Sequence, residues 1–377
     1  MTQMNFLADL KPFIQSNWEK ANFKEATAIQ TKSIPLILEG KDIIAESPTG
    51  TGKTLAYVLP ILNNIDANKK NAQVVILAPS RELVMQIFEE IKKWAEGSGL
   101  TSASLIGGAN IKRQVEKLKK SPQIIVGTPG RIHELIKMKK LKMHAVNTIV
   151  LDEGDQLLTP EHKNTIKEII KTTLNDRQVV LFSATLNEST ESRARDLMKK
   201  NPEVIQVGVD EIPVGDVEHI YLLCEQREKI ELLERIAKTV RMKALVFVKD
   251  IGNLDVLAEK LEFKGVDIHL LHSDTKKEER EAALKSMRSD NQGLLLATDV
   301  AARGLDIANL SHVIHFDVPV STTQYVHRSG RTGRQGASGT VVSFVTEREE
   351  RELKKLAKEL NINLKKNRLY KGELVEV

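Results

Sequence analysis

The sequence predicts two tandem α/β domains, each a doubly wound parallel sheet. The chain has 377 residues, long for one compact domain and suited to two of ordinary size. Short, wholly apolar runs alternate with segments of helical period, as strands buried on both faces alternate with their crossover helices. This alternation breaks once, at a stretch rich in glycine, proline and acids, and then restarts.

In the first half the apolar runs cover residues 42–45, 73–78, 123–126, 148–151 and 178–182. Between the second and third, Leu83, Ile87, Ile91 and Trp94 form one stripe of a helix, with Glu89, Glu90, Lys92 and Lys93 on the other face. In the second half the runs cover 219–223, 244–248, 268–271, 294–297, 313–316 and 340–345. Residues 208–216, with Gly208, Pro213 and Gly215, read as a linker. The predicted division is therefore a domain over 1–207, the linker, and a domain over 217–377. Ligands of doubly wound sheets sit beyond the carboxyl ends of the strands, which says where to look for chemistry in both halves.

Composition bounds the function only loosely. Hydrophobic residues make up 41% and charged residues 28%, ordinary for a globular chain. A net charge of +5 permits a polyanionic partner without requiring one. The single cysteine, Cys224, excludes an internal disulfide framework and a cysteine-based zinc site, and reads as a small buried strand residue in a reducing compartment. The first residues do not form a signal-peptide core, and no run has the length of a membrane span, so a cytoplasmic protein is expected.

The first apolar run leads into Ser47-Pro-Thr-Gly50-Thr51-Gly52-Lys53-Thr54, and Leu55 onward reads as a helix. Strand, glycine-rich turn and helix start are the context of a phosphate-binding loop. Gly50 and Gly52 let backbone N–H groups approach phosphates, Lys53 reaches the β- and γ-phosphates, and Thr54 offers a hydroxyl to Mg²⁺. Ser47 stands where the general pattern has its first glycine. About a hundred residues on, the run ending at Leu151 meets Asp152-Glu153-Gly154-Asp155. Alone, such acids are usually a solvated turn. Beside a phosphate loop, Asp152 is placed to hold Mg²⁺ through water, and Glu153 to orient and deprotonate an attacking water.

These segments and those between them resemble the DEAD-box RNA helicases over nearly the whole chain, which implies two RecA-like domains, ATP and Mg²⁺ as cofactors, and RNA as partner. The resemblance implies that Phe23 stacks on the adenine and Gln30 reads its edge; the family usually has Gly-Phe followed by Pro-Thr, and here Asn22, Ala26 and Thr27 occupy or neighbour those places. Pro79-Ser-Arg81-Glu-Leu, Gly107-Gly108 and Thr128-Pro-Gly-Arg131 are similar to the family's strand-contacting segments, which bind sugar and phosphate with little base information. Ser183-Ala-Thr185 looks like the coupling motif, with hydroxyls directed at Asp155.

In the second half, Thr298-Asp-Val-Ala-Ala-Arg-Gly-Leu-Asp306 and His327-Arg-Ser-Gly-Arg331-Thr-Gly-Arg334 match the family almost residue for residue. Three arginines on the latter segment read as one anion-facing cluster. By resemblance, Arg331 and Arg334 are arginine fingers, Asp306 contacts the ribose, His327 joins the coupling network, and Arg280 and Thr298 contact the strand. Lys277 and Ser273 replace a usual glutamine and glycine, and Gly154 replaces the alanine of the family's name. After a closing helix over 347–360 only a short basic tail is expected. The implied activity is RNA-stimulated ATP hydrolysis with local unwinding of short duplexes, by a monomer with ribosomal or other ribonucleoprotein partners. A DNA-directed translocase of the same superfamily and an ATP-gated RNA clamp with low turnover are the alternatives.

Overall fold

The computed structural model describes residues 5–23, 25–198, 201–208, 217–272, 274–289, 292–302, 307, 310–333 and 337–377. The chain divides into two compact units, 1–212 and 213–377. Of the segment read as a linker, 208–216, residues 209–216 lie outside the described residues.

The first unit holds seven strands: β1 Ile43–Glu46, β2 Val74–Leu77, β3 Ser102–Leu105, β4 Ile124–Gly127, β5 Thr148–Asp152, β6 Gln178–Ser183 and β7 Glu203–Gln206. They form one sheet in the order β3-β4-β2-β5-β6-β1-β7, every described pairing parallel. Alternation along each strand divides the core in two. Ile43, Ala45, Val74, Ile76, Val150, Val180 and Phe182 face one layer of helices, and Ile44, Val75, Leu77, Ile149, Leu151, Val179 and Leu181 face the other. The five predicted strands are all present. β3 and β7 were not predicted, because Ser102, Ser104, Glu203 and Gln206 interrupt the apolar run; both are edge strands, and Ser104 is buried all the same.

The second unit holds β8 Val217–Leu223, β9 Lys243–Phe247, β10 Ile268–Leu271, β11 Gly293–Ala297, β12 His312–His315, β13 Gly339–Val345, β14 Leu364–Tyr370 and β15 Glu373–Glu376. Their order is β10-β11-β9-β12-β13-β8-β14-β15. All pairs are parallel except β14 with β15. The closing helix Glu347–Glu359 starts at a Thr346 and Glu349 capping box.

Two readings need correction here. The segment read as a basic tail is a hairpin that extends the sheet, with Leu369 and Leu374 packed on the core and Lys366, Arg368 and Tyr370 outward. Cys224 lies one residue past β8 and is only half-buried; its N–H donates to the Val345 carbonyl at 2.9 Å. Burial still pushes its thiol up to about 11, which keeps it an unreactive neutral group.

Candidate functional site

The phosphate loop leaves the carboxyl end of β1 and enters the helix Lys53–Asn64. Gly50 (φ 82°) and Gly52 (φ 91°) take left-handed conformations that a side chain would strain. A Cβ on Gly52 would also come within 2.6 Å of Gln30 Nε2. Ser47, the departure from the general pattern, has become an internal brace. It is fully buried, its N–H donates to the Ser183 carbonyl of β6 at 3.0 Å, and its hydroxyl pairs with Thr51 Oγ1 at 2.7 Å. Lys53 Nζ donates to the Ser47 carbonyl at 2.6 Å, so the ammonium is folded over the loop.

Gln30 borders this loop and is almost wholly buried. Its Oε1 accepts from the Thr27 N–H at 3.0 Å, and its Nε2 donates to the Gly52 carbonyl at 3.3 Å. Phe23 stacks on Trp94 with ring centroids 6.1 Å apart and stays 40% exposed, so it has ring surface left for another flat group.

The acid motif begins at the last residue of β5. Asp152 Oδ1 accepts from the Glu153 N–H at 2.9 Å, and Oδ2 accepts from the Tyr57 hydroxyl at 2.8 Å. Burial raises the Asp152 carboxyl to about 6, with the Glu153 carboxylate adding to the rise; Lys53 and Tyr57 pull the other way. Burial and the same aspartate hold the Tyr57 phenol well above its usual range. Glu153 adopts the left-handed region (φ 55°, ψ 55°), costly for a residue with a side chain. Its Oε2 is buried with no hydrogen-bond partner among the described residues.

Gly154 opens the short helix Gly154–Leu157, and a Cβ there would lie 2.7 Å from the Leu181 side chain of β6. Of the four residues predicted to couple, Asp155, Ser183 and Thr185 meet here, while His327 belongs to the second unit. Asp155 N–H donates to Ser183 Oγ at 3.1 Å, Ser183 Oγ donates to the Thr185 carbonyl at 2.7 Å, and Thr185 Oγ1 donates to Asp155 Oδ2 at 2.9 Å.

The predicted strand-contacting residues cluster after β2, β3 and β4. Arg81 opens the helix Arg81–Trp94, capped by Ser80, and its guanidinium fills the space a Cβ on Gly108 would need, 2.5 Å away. Arg131 Nη1 donates to the Ala109 carbonyl at 3.1 Å and its Nε lies 2.9 Å from Glu134. Thr128 precedes the helix Pro129–Lys137, and its N–H donates to the Leu105 carbonyl at 3.1 Å. The two arginines therefore flank one loop. Sheet order puts β3, β4 and β2 at one end of the carboxyl edge and β5, β6 and β1 at the other, so the edge has two adjoining territories.

In the second unit Thr298 follows β11, and Arg280 Nη2 donates to the Ala301 carbonyl at 3.2 Å, so both sit at the carboxyl edge. Asp306, Arg334 and Ser273 lie outside the described residues, as does the side chain of Lys277. The helix Thr322–Ser329, which holds His327, then runs back from the end of β12. Beyond it, Thr332 Oγ1 donates to the Leu310 carbonyl, just ahead of β12, and Gly333 packs on Val217, the first residue of β8. Arg331, buried and with its Nε donating to the His327 carbonyl at 3.2 Å, is therefore carried toward the amino edge. For this segment the expectation of a carboxyl-edge site is wrong, because the motif follows the return helix and not a strand.

Arg328 corrects a second reading. It is 2% exposed and does not join an anion-facing cluster. Its Nε and Nη2 donate to both oxygens of Asp299 at 2.7 Å, its Nη1 donates to the Asp317 carbonyl at 2.7 Å, and it stacks over Phe247. A planar guanidinium with five donors is the side chain that can hold those partners together.

Comparison with known proteins decides the family. The family model described as DEAD/DEAH box helicase matches residues 27–193, and that of the helicase conserved C-terminal domain matches residues 228–336, well over half of the chain together. The chain belongs to the DEAD-box ATP-dependent RNA helicases. It is 56% identical over 359 residues to a Bacillus subtilis protein named "Probable ATP-dependent RNA helicase YfmL", covering 95% of each chain. It is 53% identical over 370 residues to the DEAD-box ATP-dependent RNA helicase CshC of Bacillus cereus, covering 98% of this chain and 95% of that one. Among solved structures, S. cerevisiae Dbp5 bound to RNA and ADP BeF3 matches with a TM-score of 0.88 at 27% identity, over 97% of this chain and 95% of that chain. Mss116p bound to ssRNA and AMP-PNP matches with a TM-score of 0.84 at 29% identity, over 97% and 79%.

Two residues of this DEAD-box helicase were missed by motif reading. Tyr57 sits on a helix whose neighbours Leu55, Ala56, Val58 and Leu59 are all buried, and a phenol in such a run has to find a partner, which was the available signal. Asp299 looks like one acid in a helix start, and nothing local announces that it anchors Arg328, 29 residues away.

Proposed function

We propose that this DEAD-box ATP-dependent RNA helicase hydrolyses ATP when RNA binds and opens short duplexes locally, by clamping and bending one strand without long-range travel. The observation that carries this reading is the shared carboxyl edge of the first sheet, where a phosphate loop with its acid pair adjoins a loop flanked by Arg81 and Arg131.

The residues fit the implied ligands. Gly50 and Gly52 take the left-handed conformations that turn the loop into the helix start, and Glu153 Oε2 is a buried acceptor with no partner among the described residues. Lys53 takes the β- and γ-phosphates, with Gly50, Thr51 and Gly52 offering backbone donors. Phe23 and Gln30 take the adenine, and Asp306 the ribose. Thr54, and Asp152 through water, would hold Mg²⁺, which would neutralise charge on the phosphate oxygens. Glu153 accepts a proton from the attacking water, for which its unpaired Oε2 is suited. Arg331 and Arg334 stabilise charge developing on the transferred phosphoryl group. Asp155, Ser183, Thr185 and His327 couple this chemistry to closure of the domains across the linker 208–216. Arg81, Gly108, Thr128, Arg131, Arg280 and Thr298 hold the RNA backbone.

Asp152-Glu-Gly-Asp155 is then a working variant of the family motif, since the missing methyl faces Leu181 and not the ligand. The proposal extends to a monomer acting in the cytoplasm on structured RNA such as that of assembling ribosomes.

ATP hydrolysis by the purified protein is measured alone, with single-stranded RNA, and with DNA of the same sequence. Strong stimulation by RNA alone is expected. Equal stimulation by DNA would replace this reading with that of a DNA translocase, and ATP-dependent RNA binding without stimulation with that of a clamp.

A further inference from the structure

Tyr57 belongs to none of the segments that motif reading selects, yet it occupies the space between two that do. Thr54 and Tyr57 lie three residues apart on the helix Lys53–Asn64, and that spacing puts them on one face. The Tyr57 ring is fully buried, 5.4 Å from Phe182 of β6. Its hydroxyl donates to Asp152 Oδ2 at 2.8 Å. We propose that Tyr57 is a positioning residue of the metal site, whose phenolic hydroxyl fixes the plane of the Asp152 carboxylate. This rests on the assignment of Thr54 and Asp152 to Mg²⁺ made above.

A carboxylate has about four lone-pair sites. Glu153 N–H occupies one on Oδ1 and Tyr57 one on Oδ2, which leaves a free acceptor on each oxygen and stops the group from rotating. Ligands oriented in advance by outer partners hold metal more tightly, and loss of such a partner typically weakens affinity by about 10- to 100-fold. Packing alone does not call for the hydroxyl. Phenylalanine fills the same space against Phe182 but donates no hydrogen bond.

The test is Tyr57→Phe in the full chain, with Mg²⁺ titrated against binding of a fluorescent ATP analogue. The half-saturating Mg²⁺ concentration should rise about tenfold, while the affinity without metal stays within about twofold of the parent's and excess Mg²⁺ restores turnover. An unchanged Mg²⁺ midpoint would overturn the proposal, and so would a loss of affinity that excess Mg²⁺ does not repair. Should the variant melt early, the same titration below its melting temperature, normalised to active sites, keeps the comparison. Asp152→Asn is run beside it. If that variant moves the midpoint and Tyr57→Phe does not, the tyrosine link alone fails; if neither moves it, the metal assignment fails as well.

Discussion

In the first unit the phosphate loop after β1, the acid motif after β5 and the arginine-flanked loop after β3 all leave the same edge of one sheet. In the second unit Thr298 and Arg280 stay at that edge, whereas Arg331 is carried toward the opposite one by the helix Thr322–Ser329. The difference comes from connectivity. Each first-unit group stands within a few residues of a strand end, so the carboxyl-edge rule places it directly. The arginine motif stands after a return helix, and the same rule misplaces it. The units also treat buried charge differently. The first leaves carboxylates close together, with Asp152 raised and Glu153 Oε2 unpaired, whereas the second neutralises Arg328 completely.

The sharpest way to break this comparison is Glu153→Gln. Loss of the unpaired carboxylate should lower ATP turnover by about 10²- to 10⁴-fold while leaving ATP and RNA binding intact. Steady-state hydrolysis with parallel binding titrations decides it, and near-normal turnover would remove Glu153 from the chemistry. Next comes Arg328→Met in the second unit, which strands Asp299 and should destabilise that unit by about 3 kcal/mol in denaturant unfolding. An unaltered unfolding midpoint would return Arg328 to the anion-facing cluster.

The first unit should instead gain stability when its crowded charge is removed. In metal- and nucleotide-free protein the Asp152 carboxyl, raised from 3.8 to about 6, favours the fold while protonated. That contribution is fully present below about pH 4 and is lost as pH rises through about 6, amounting to at most about 3 kcal/mol. Asp152→Asn should therefore flatten the fall of melting temperature over that window and melt higher than the parent at neutral pH. A parallel pH dependence in the two proteins would refute the raised carboxyl.

The smallest effect is expected from Gly154→Ala. The new Cβ must displace Leu181, and overpacking of this kind costs about 1–2 kcal/mol with a modest change in turnover. Adding Leu181→Val should recover most of the loss in a double-mutant cycle. A fall in turnover of several orders of magnitude would show that Gly154 has a catalytic part.

The strands readable in the sequence were those with a mainly apolar run, most of them interior to a sheet, because 73–78 or 178–182 has no polar residue in its interior to confuse the pattern. β3 escaped because Ser102 and Ser104 interrupt its run, Ser104 being buried all the same, and the terminal hairpin because Lys366 and Arg368 stand on its exposed face. Site residues read directly where adjacency in sequence is adjacency in space, as from Gly50 to Thr54 or from Asp152 to Asp155. Links that cross the sheet, such as Tyr57 to Asp152 or Arg328 to Asp299, have no local pattern to betray them.

The Gln30 side chain makes one bond at each end, from the Thr27 N–H and to the Gly52 carbonyl. A primary amide has a second hydrogen on Nε2 and a second lone pair on Oε1, so the adenine reading proposed for Gln30 would add bonds and keep these two. The same side chain holds the first turn of its own helix and touches the phosphate loop. A base held by the remaining donor and acceptor would therefore brace the helix start and the phosphate loop through one side chain.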